Sequence, residues 1–279
     1  MIKFFRHIRQ KLIGQNKTRT YFLYAVGEII LVVIGILIAV QINSWNEDRK
    51  RLNTEQIILS QLKDEMLDIY GDIYRDFNVI KLGRLSHYNI IDYIESNATY
   101  HDSMSFDFYY LKQDEYIFPK EAIYSRIKEE GLDIIKNDSI RNLTQIIYES
   151  IFPRLTPNSN FNPNISRFLD SYYQDHFQLN TNTNIAFEHV FDTDTLSGQV
   201  YSDYIKFPVE VTRNNRKRKV TRGFSPLNFE ALKQDTKFRM LLQQTEGFRT
   251  YKGIKYRQAI VFIKALIALV DKELEASQE

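Results

Sequence analysis

The sequence predicts a mainly α protein, with one N-terminal transmembrane helix followed by a helical-bundle extracytoplasmic domain that admits a small β-hairpin. Three observations carry that expectation. Residues 21–42, YFLYAVGEIILVVIGILIAVQI, form a run of 22 in which Glu28 is the only formally charged member. About 20 mainly apolar residues cross a hydrocarbon core of roughly 30 Å, and a soluble core helix rarely sustains such a run without a polar face. Apolar heptad stripes then appear at both ends of the remaining chain. Composition supplies the third: 43% hydrophobic and 14% aromatic residues with only 10 Gly and 6 Pro favour a packed helical body over a disordered tail.

In chain order, residues 1–20 read as a basic, amphipathic cytoplasmic tail. Phe4, Phe5, Ile8 and Leu12 share one helical arc and Lys3, Arg6 and Arg9 the other, the pattern of a helix lying on an anionic leaflet or of a tail that only sets topology. Gly14 is a stop, and Asn16 to Thr20 make a polar turn into the span. Six cations (Lys3, Arg6, Arg9, Lys11, Lys17, Arg19) precede the span, whereas Arg49, Lys50 and Arg51 after it are interleaved with Glu47, Asp48 and Glu55. That bias places the N-terminus in the cytoplasm. No small-x-small cleavage site follows the run, so residues 21–42 are expected to stay as an anchor.

Residues 43–279 then form the extracytoplasmic domain. Leu52, Leu59, Met66, Ile73 and Ile80 recur every seven residues, with Leu62 and Ile69 between them, a coiled-coil-like stripe interrupted by Glu55 and Asp76. This helix should stop near Ser96-Asn97. Pro119 suits the first turn of a helix closed by Gly131, Asn137-Asp138-Ser139 caps another that ends before Pro153, and ISRFLDSYYQDHF is a third. Asn180 to Gly198 reads as a polar surface excursion, and Tyr201–Thr212 and Lys217–Phe224 flank Asn214-Asn215 as arms of the hairpin. Finally, Tyr256, Ile260, Ile263, Ile267, Val270 and Leu274 make a complete a/d stripe, expected to pack antiparallel on the stripe that follows the span.

The opening MIKFFRHIRQKL, the block YAVGEIILVVIGILIAVQINSWNE and the later GLDIIKNDSIRN resemble a family of uncharacterised single-span membrane proteins of Gram-negative bacteria, known only as a domain of unknown function. The resemblance is close over the first 50 or so residues and loose beyond. It implies an inner-membrane protein with a periplasmic domain and brings no catalytic residues.

Motifs for chemistry are missing. The sequence has no GxxxxGK[ST], GxGxxG, HExxH or GxSxG, and His7, His87, His101, His176 and His189 lack ligand spacing. His101-Asp102-Ser103 is turn chemistry, since triads are assembled from distant positions. Asp192-Thr193-Asp194 opens like a calcium loop, but Leu196 and Ser197 stand where an oxygen ligand and Gly are required. With no cysteine, disulfides and thiolate metal sites are excluded. The expectation is therefore a chain that is not an enzyme and carries no cofactor or metal.

Two features remain. Arg213, Arg216, Lys217, Arg218, Lys219 and Arg222 put six cations into ten residues, a candidate site for an anionic lipid, a glycan or an acidic protein, or simply a solvated hairpin; nucleic acid is not expected outside the cytoplasm. Within the span, Gly35 and Ala39 fall within about 20° of Glu28 at 100° per residue, and small-xxx-small spacing lets helices approach closely. Glu28, Gly35 and Ala39 are thus a candidate interface for homo- or hetero-oligomers in the lipid bilayer, or Glu28 reaches back toward the headgroups. The functional expectation is a membrane-anchored periplasmic binding, scaffold or sensor subunit of an envelope assembly, acting through protein–protein contacts. The alternative is a single-span subunit of a proton-driven complex in which Glu28 is the ionisable group.

Overall fold

The computed structural model describes residues 18–157 and 163–277. The amphipathic tail expected over residues 1–20 therefore lies outside the described residues up to position 17. Residues 18–20, expected as a turn, already belong to the first helix, α1 (Thr18–Glu95).

The chain divides into two compact units, Met1–Gln56 and Ile57–Glu279. In the first, α1 carries only Glu28 and Gln41 as polar side chains between Ala25 and Ile42 and turns polar from Asn43 onward. Phe22, Ile29, Leu31, Leu37 and Ile42 are all more than half exposed, and an 18-residue window with mean hydropathy 2.6 contains no buried residue. Among the described residues this is the one helix long and apolar enough to cross a membrane.

The second unit is built on two long helices. The later part of α1 contributes Leu59, Leu62, Met66, Ile69, Ile73 and Ile80, all buried as the heptad reading requires, whereas Leu52, the first position of that stripe, is exposed and lies before the packed unit begins at Ile57. Its C-terminus falls where turn chemistry begins: Asn97 takes a left-handed φ of 52° and Ala98 N–H returns to Tyr93 O at 3.0 Å. The last helix, α7 (Thr236–Ala276), starts well before the stripe at Tyr256, capped by Asp235, whose side chain accepts from Lys237 N–H and Phe238 N–H. The two run antiparallel. Lys63 meets Asp271 at 2.6 Å, Tyr256 meets Asp76 at 3.2 Å, Ile80 lies against Gly253, and Arg84 meets Glu246 at 3.2 Å.

Between them come α2 (Met104–Lys112), α3 (Ala122–Glu130), α4 (Asp138–Gln145) with a π turn (Ile146–Ile151) and a 3-10 turn (Phe152–Arg154), α5 (Ile165–His176) and α6 (Phe229–Gln234). Local signals place several boundaries. Asn137 caps α4 through Ser139 and Ile140 N–H, Asn164 caps α5 through Arg167 N–H, and Gly131 closes α3 with φ of 94°. Pro119 precedes α3 instead of opening it.

Burial collects into two main cores. One joins Ile58–Ile80 of α1, α3, α4 and Tyr256–Val270 of α7, and the other joins Ile90 and Ile94 of α1 to α2, α5, α6 and Phe238–Leu242 of α7.

The strands form four antiparallel pairs among the described residues: β1 (Phe177–Leu179) with β8 (Phe224–Pro226), β2 (Phe187–Val190) with β5 (Tyr204–Phe207), β3 (Asp194–Leu196) with β4 (Gln199–Tyr201), and β6 (Val209–Arg213) with β7 (Arg216–Val220). This corrects two expectations. The segment Asn180 to Gly198 is not an irregular excursion, because Phe187 stacks on Phe106 at 4.9 Å and Phe191 is buried, which seats β2 on a small aromatic core. The hairpin is also shorter than Tyr201–Thr212 with Lys217–Phe224, since Tyr201, Tyr204–Phe207 and Phe224 pair with other strands.

Candidate functional site

The β6–β7 ribbon places five of the six cations expected to bind an anionic partner. Asn214 and Asn215 have φ of 50° and 58°, the left-handed pair that a two-residue turn of type I′ demands and that Asn tolerates best after Gly. Pairing runs Val209↔Val220, Glu210↔Lys219, Val211↔Arg218, Thr212↔Lys217 and Arg213↔Arg216. Because side chains alternate and opposed residues share a face, the ribbon has two unlike sides. One carries Val209, Val211 and Val220 with Arg213, Arg216 and Arg218; the other carries Glu210, Thr212, Lys217 and Lys219.

Every residue from 209 to 220 is exposed, the three valines at 44–45%. On the lysine side, Lys217 pairs with Glu210 at 3.0 Å. No ion pair reaches Arg213, Arg216 or Arg218 among the described residues, so the arginine side holds three cations and no carboxylate. Arg222 is separate. It lies past the ribbon, donates to Tyr109 Oη at 2.9 Å and sits 5.9 Å from the centre of the Phe207 ring, which fixes it to the base of the ribbon instead of its free end.

Glu28, Gly35 and Ala39 lie on α1 at the spacing read from the sequence. A Cβ at Gly35 would meet nothing within 4 Å, so that surface is open in the chain itself.

Sequence reasoning missed a buried polar layer between the two cores. Lys252 forms an ion pair with Asp114 whose side chains are 0% and 3% exposed, and Asp114 also accepts from Ile165 N–H at 2.6 Å and Tyr116 Oη at 2.8 Å. Arg249 donates to the carbonyls of Leu111 at 2.5 Å and Gln113 at 3.3 Å, its guanidinium lying over Gly83, where a Cβ would stand 2.6 Å from Nε. Burial pulls the Arg249 pKa down to about 10 and pushes that of Asp76 up to about 7, the latter with help from the nearby Glu115 charge. His87 is likewise lowered by burial, leaving it neutral at pH 7. Three buried polar atoms of this layer, His87 Nδ1, Glu246 Oε2 and Arg249 Nη1, have no hydrogen-bond partner among the described residues. The only signal in the sequence was Asp76 interrupting a heptad stripe.

The motifs set aside as turns have structural partners. Asp194 joins Tyr70 of α1 to Lys264 of α7, whose Nζ lies 2.8 Å from both carboxylate oxygens, so it clips the β3–β4 hairpin across the two long helices. In His101-Asp102-Ser103, His101 Nδ1 contacts Ser103 Oγ at 2.8 Å, while Asp102 accepts from Asn182 at 2.8 Å.

Residues 28–165 match the family described as "Family of unknown function (DUF6090)". No curated protein and no solved structure matches the chain. The matched stretch holds Glu28, Gly35 and Ala39, the heptad stripe of α1, GLDIIKNDSIRN at residues 131–142 and, from Glu28 onward, the block around the span; the opening MIKFFRHIRQKL lies outside it. The β6–β7 ribbon lies outside it. The polar layer straddles its boundary, with Asp76, His87 and Asp114 inside and Arg249 and Lys252 outside.

Proposed function

We propose that the chain is a membrane-anchored periplasmic binding, scaffold or sensor subunit of an envelope assembly, acting through protein–protein contacts. One observation carries the reading. No residue in the apolar window of α1 is buried, while the second unit encloses cores of its own. Leaving such a surface in water would cost about 25 cal/mol per Å², so a bilayer is the medium that suits it. The charge bias around the span favours a cytoplasmic N-terminus and a periplasmic domain, in keeping with the inner-membrane family that the chain resembles. Gly35 and Ala39, which share an arc of the helix with Glu28, then let a second helix approach closely, from another copy or from a partner.

Alkaline carbonate extraction together with a reporter fused after Glu279 tests the reading. The chain should remain in the membrane pellet and the reporter should be active only in the periplasm. Release by carbonate, or cytoplasmic reporter activity, would refute it. Crosslinking in the native membrane should then recover specific proteins with the chain.

A further inference from the structure

The two sides of the β6–β7 ribbon differ in a way that bears on its partner. A loop that only kept the domain soluble, or that met a diffuse polyanion, would have no need to sort its residues by face. Here Arg213, Arg216 and Arg218 share one side with Val209, Val211 and Val220, and the one carboxylate of the ribbon, Glu210, lies on the other beside Lys217. Cations and exposed aliphatic groups on the same side form the composition of a surface that meets charged headgroups at its edge and acyl chains beneath. Arginine suits the role better than lysine, because its planar fork binds phosphate oxygens in pairs and is more weakly hydrated.

We propose that the valine–arginine side of the β6–β7 ribbon docks on the surface of an anionic phospholipid bilayer. The docking rests on the membrane-anchored reading, which holds the domain near a bilayer and raises the effective concentration of lipid at the ribbon. The valines favour this occupant over an acidic glycan, which offers them nothing apolar. Arg222, tied to Tyr109 and Phe207 at the base, takes no part. Each arginine near an anionic surface contributes about a 5-fold preference, so the three together give about 100-fold for anionic over neutral lipid.

The chain has no cysteine, so one introduced cysteine labels one site. Full-length Val211→Cys and Thr212→Cys proteins, each carrying an environment-sensitive fluorophore, are placed in nanodiscs of phosphatidylcholine alone or with phosphatidylglycerol, and vesicles of the same composition are added. Emission from position 211 should shift to the blue with phosphatidylglycerol and be quenched by lipid-borne quenchers, while position 212, on the other side, changes little. Replacing Arg213, Arg216 and Arg218 by Gln should abolish the shift without changing thermal stability. Lys217→Gln with Lys219→Gln should reduce it by much less. The proposal is overturned if both labels respond alike, if the lysine and arginine sets lose binding equally, if phosphatidylglycerol changes nothing, or if poly-glutamate without lipid gives the same shift, which would make the ribbon a site for acidic protein. Failure of the anchoring reading is told apart by flotation: a chain that leaves the nanodisc yet still shifts with added anionic vesicles keeps the ribbon proposal and loses the anchor.

Discussion

Asp76→Asn should stabilise the domain by an amount that grows as pH rises from about 4 to about 7 and then levels off. The Asp76 carboxyl lies on α1, accepts from Tyr256 Oη of α7 at 3.2 Å, and is raised to about 7 from an ordinary value of 3.8, first by burial and then by Glu115; Asp72 and Arg75 of its own helix oppose each other. The folded pKa lies above the unfolded one, so this group's contribution to stability is fully present below about pH 4 and is lost as pH rises through about 7. About three units at 1.36 kcal/mol each give roughly 4 kcal/mol of cost at about pH 8. Asparagine retains the acceptor for Tyr256 and cannot ionise. Thermal or urea unfolding of the full chain in nanodiscs should therefore show Asp76→Asn more stable by about 2–4 kcal/mol at about pH 8, a rise in Tm of the order of 5–10 °C. At about pH 4 the two proteins should differ little. An equal gain at both pH values, or none at about pH 8, would refute the assignment of Asp76 as a carboxyl protonated by burial.

Other expectations follow from the same cores and from the span. Ile263 is fully buried and Ile260 only partly, so Ile263→Asp should abolish cooperative unfolding while Ile260→Asp costs clearly less; equal losses would show that the α7 stripe is not oriented as described. Gly83→Ala would drive a Cβ into Arg249 and displace the guanidinium from Leu111 and Gln113, a loss of about 2–4 kcal/mol despite the better helix propensity of Ala. Combining it with Arg249→Met should cost less than the two changes added, and strict additivity would exclude the clash. A Cβ at Gly35 meets nothing within 4 Å, so a fall in helix–helix energy transfer in nanodiscs on Gly35→Leu would report an intermolecular face, whereas unchanged association in both Gly35→Leu and Glu28→Ala would leave α1 a plain anchor. Glu28→Gln that keeps association but removes cellular activity would transfer the functional reading to the proton-driven alternative.

Much of the architecture is decided by signals that act over a few residues and need no partner. The run at residues 21–42 is long enough to span a bilayer whatever else the chain does. The stop after Glu95, the Asn137 cap, the Asn214-Asn215 turn and the buried heptad positions of α1 and α7 likewise follow from backbone preference and helical period. Long-range packing decided the rest. Arg249 and Lys252 look like solvated helix residues, and they are buried because the segment after α2, 136–138 positions earlier in the chain, lays its carbonyls and Asp114 across that face of α7. The strands β2 and β3 form in a polar stretch because Phe187 and Asp194 find Phe106, Tyr70 and Lys264 far away in sequence. Arg222 leaves the cationic cluster it belongs to by spacing because Tyr109 holds it. A charge can be buried only where distant groups compensate it, and no local pattern records which groups those will be.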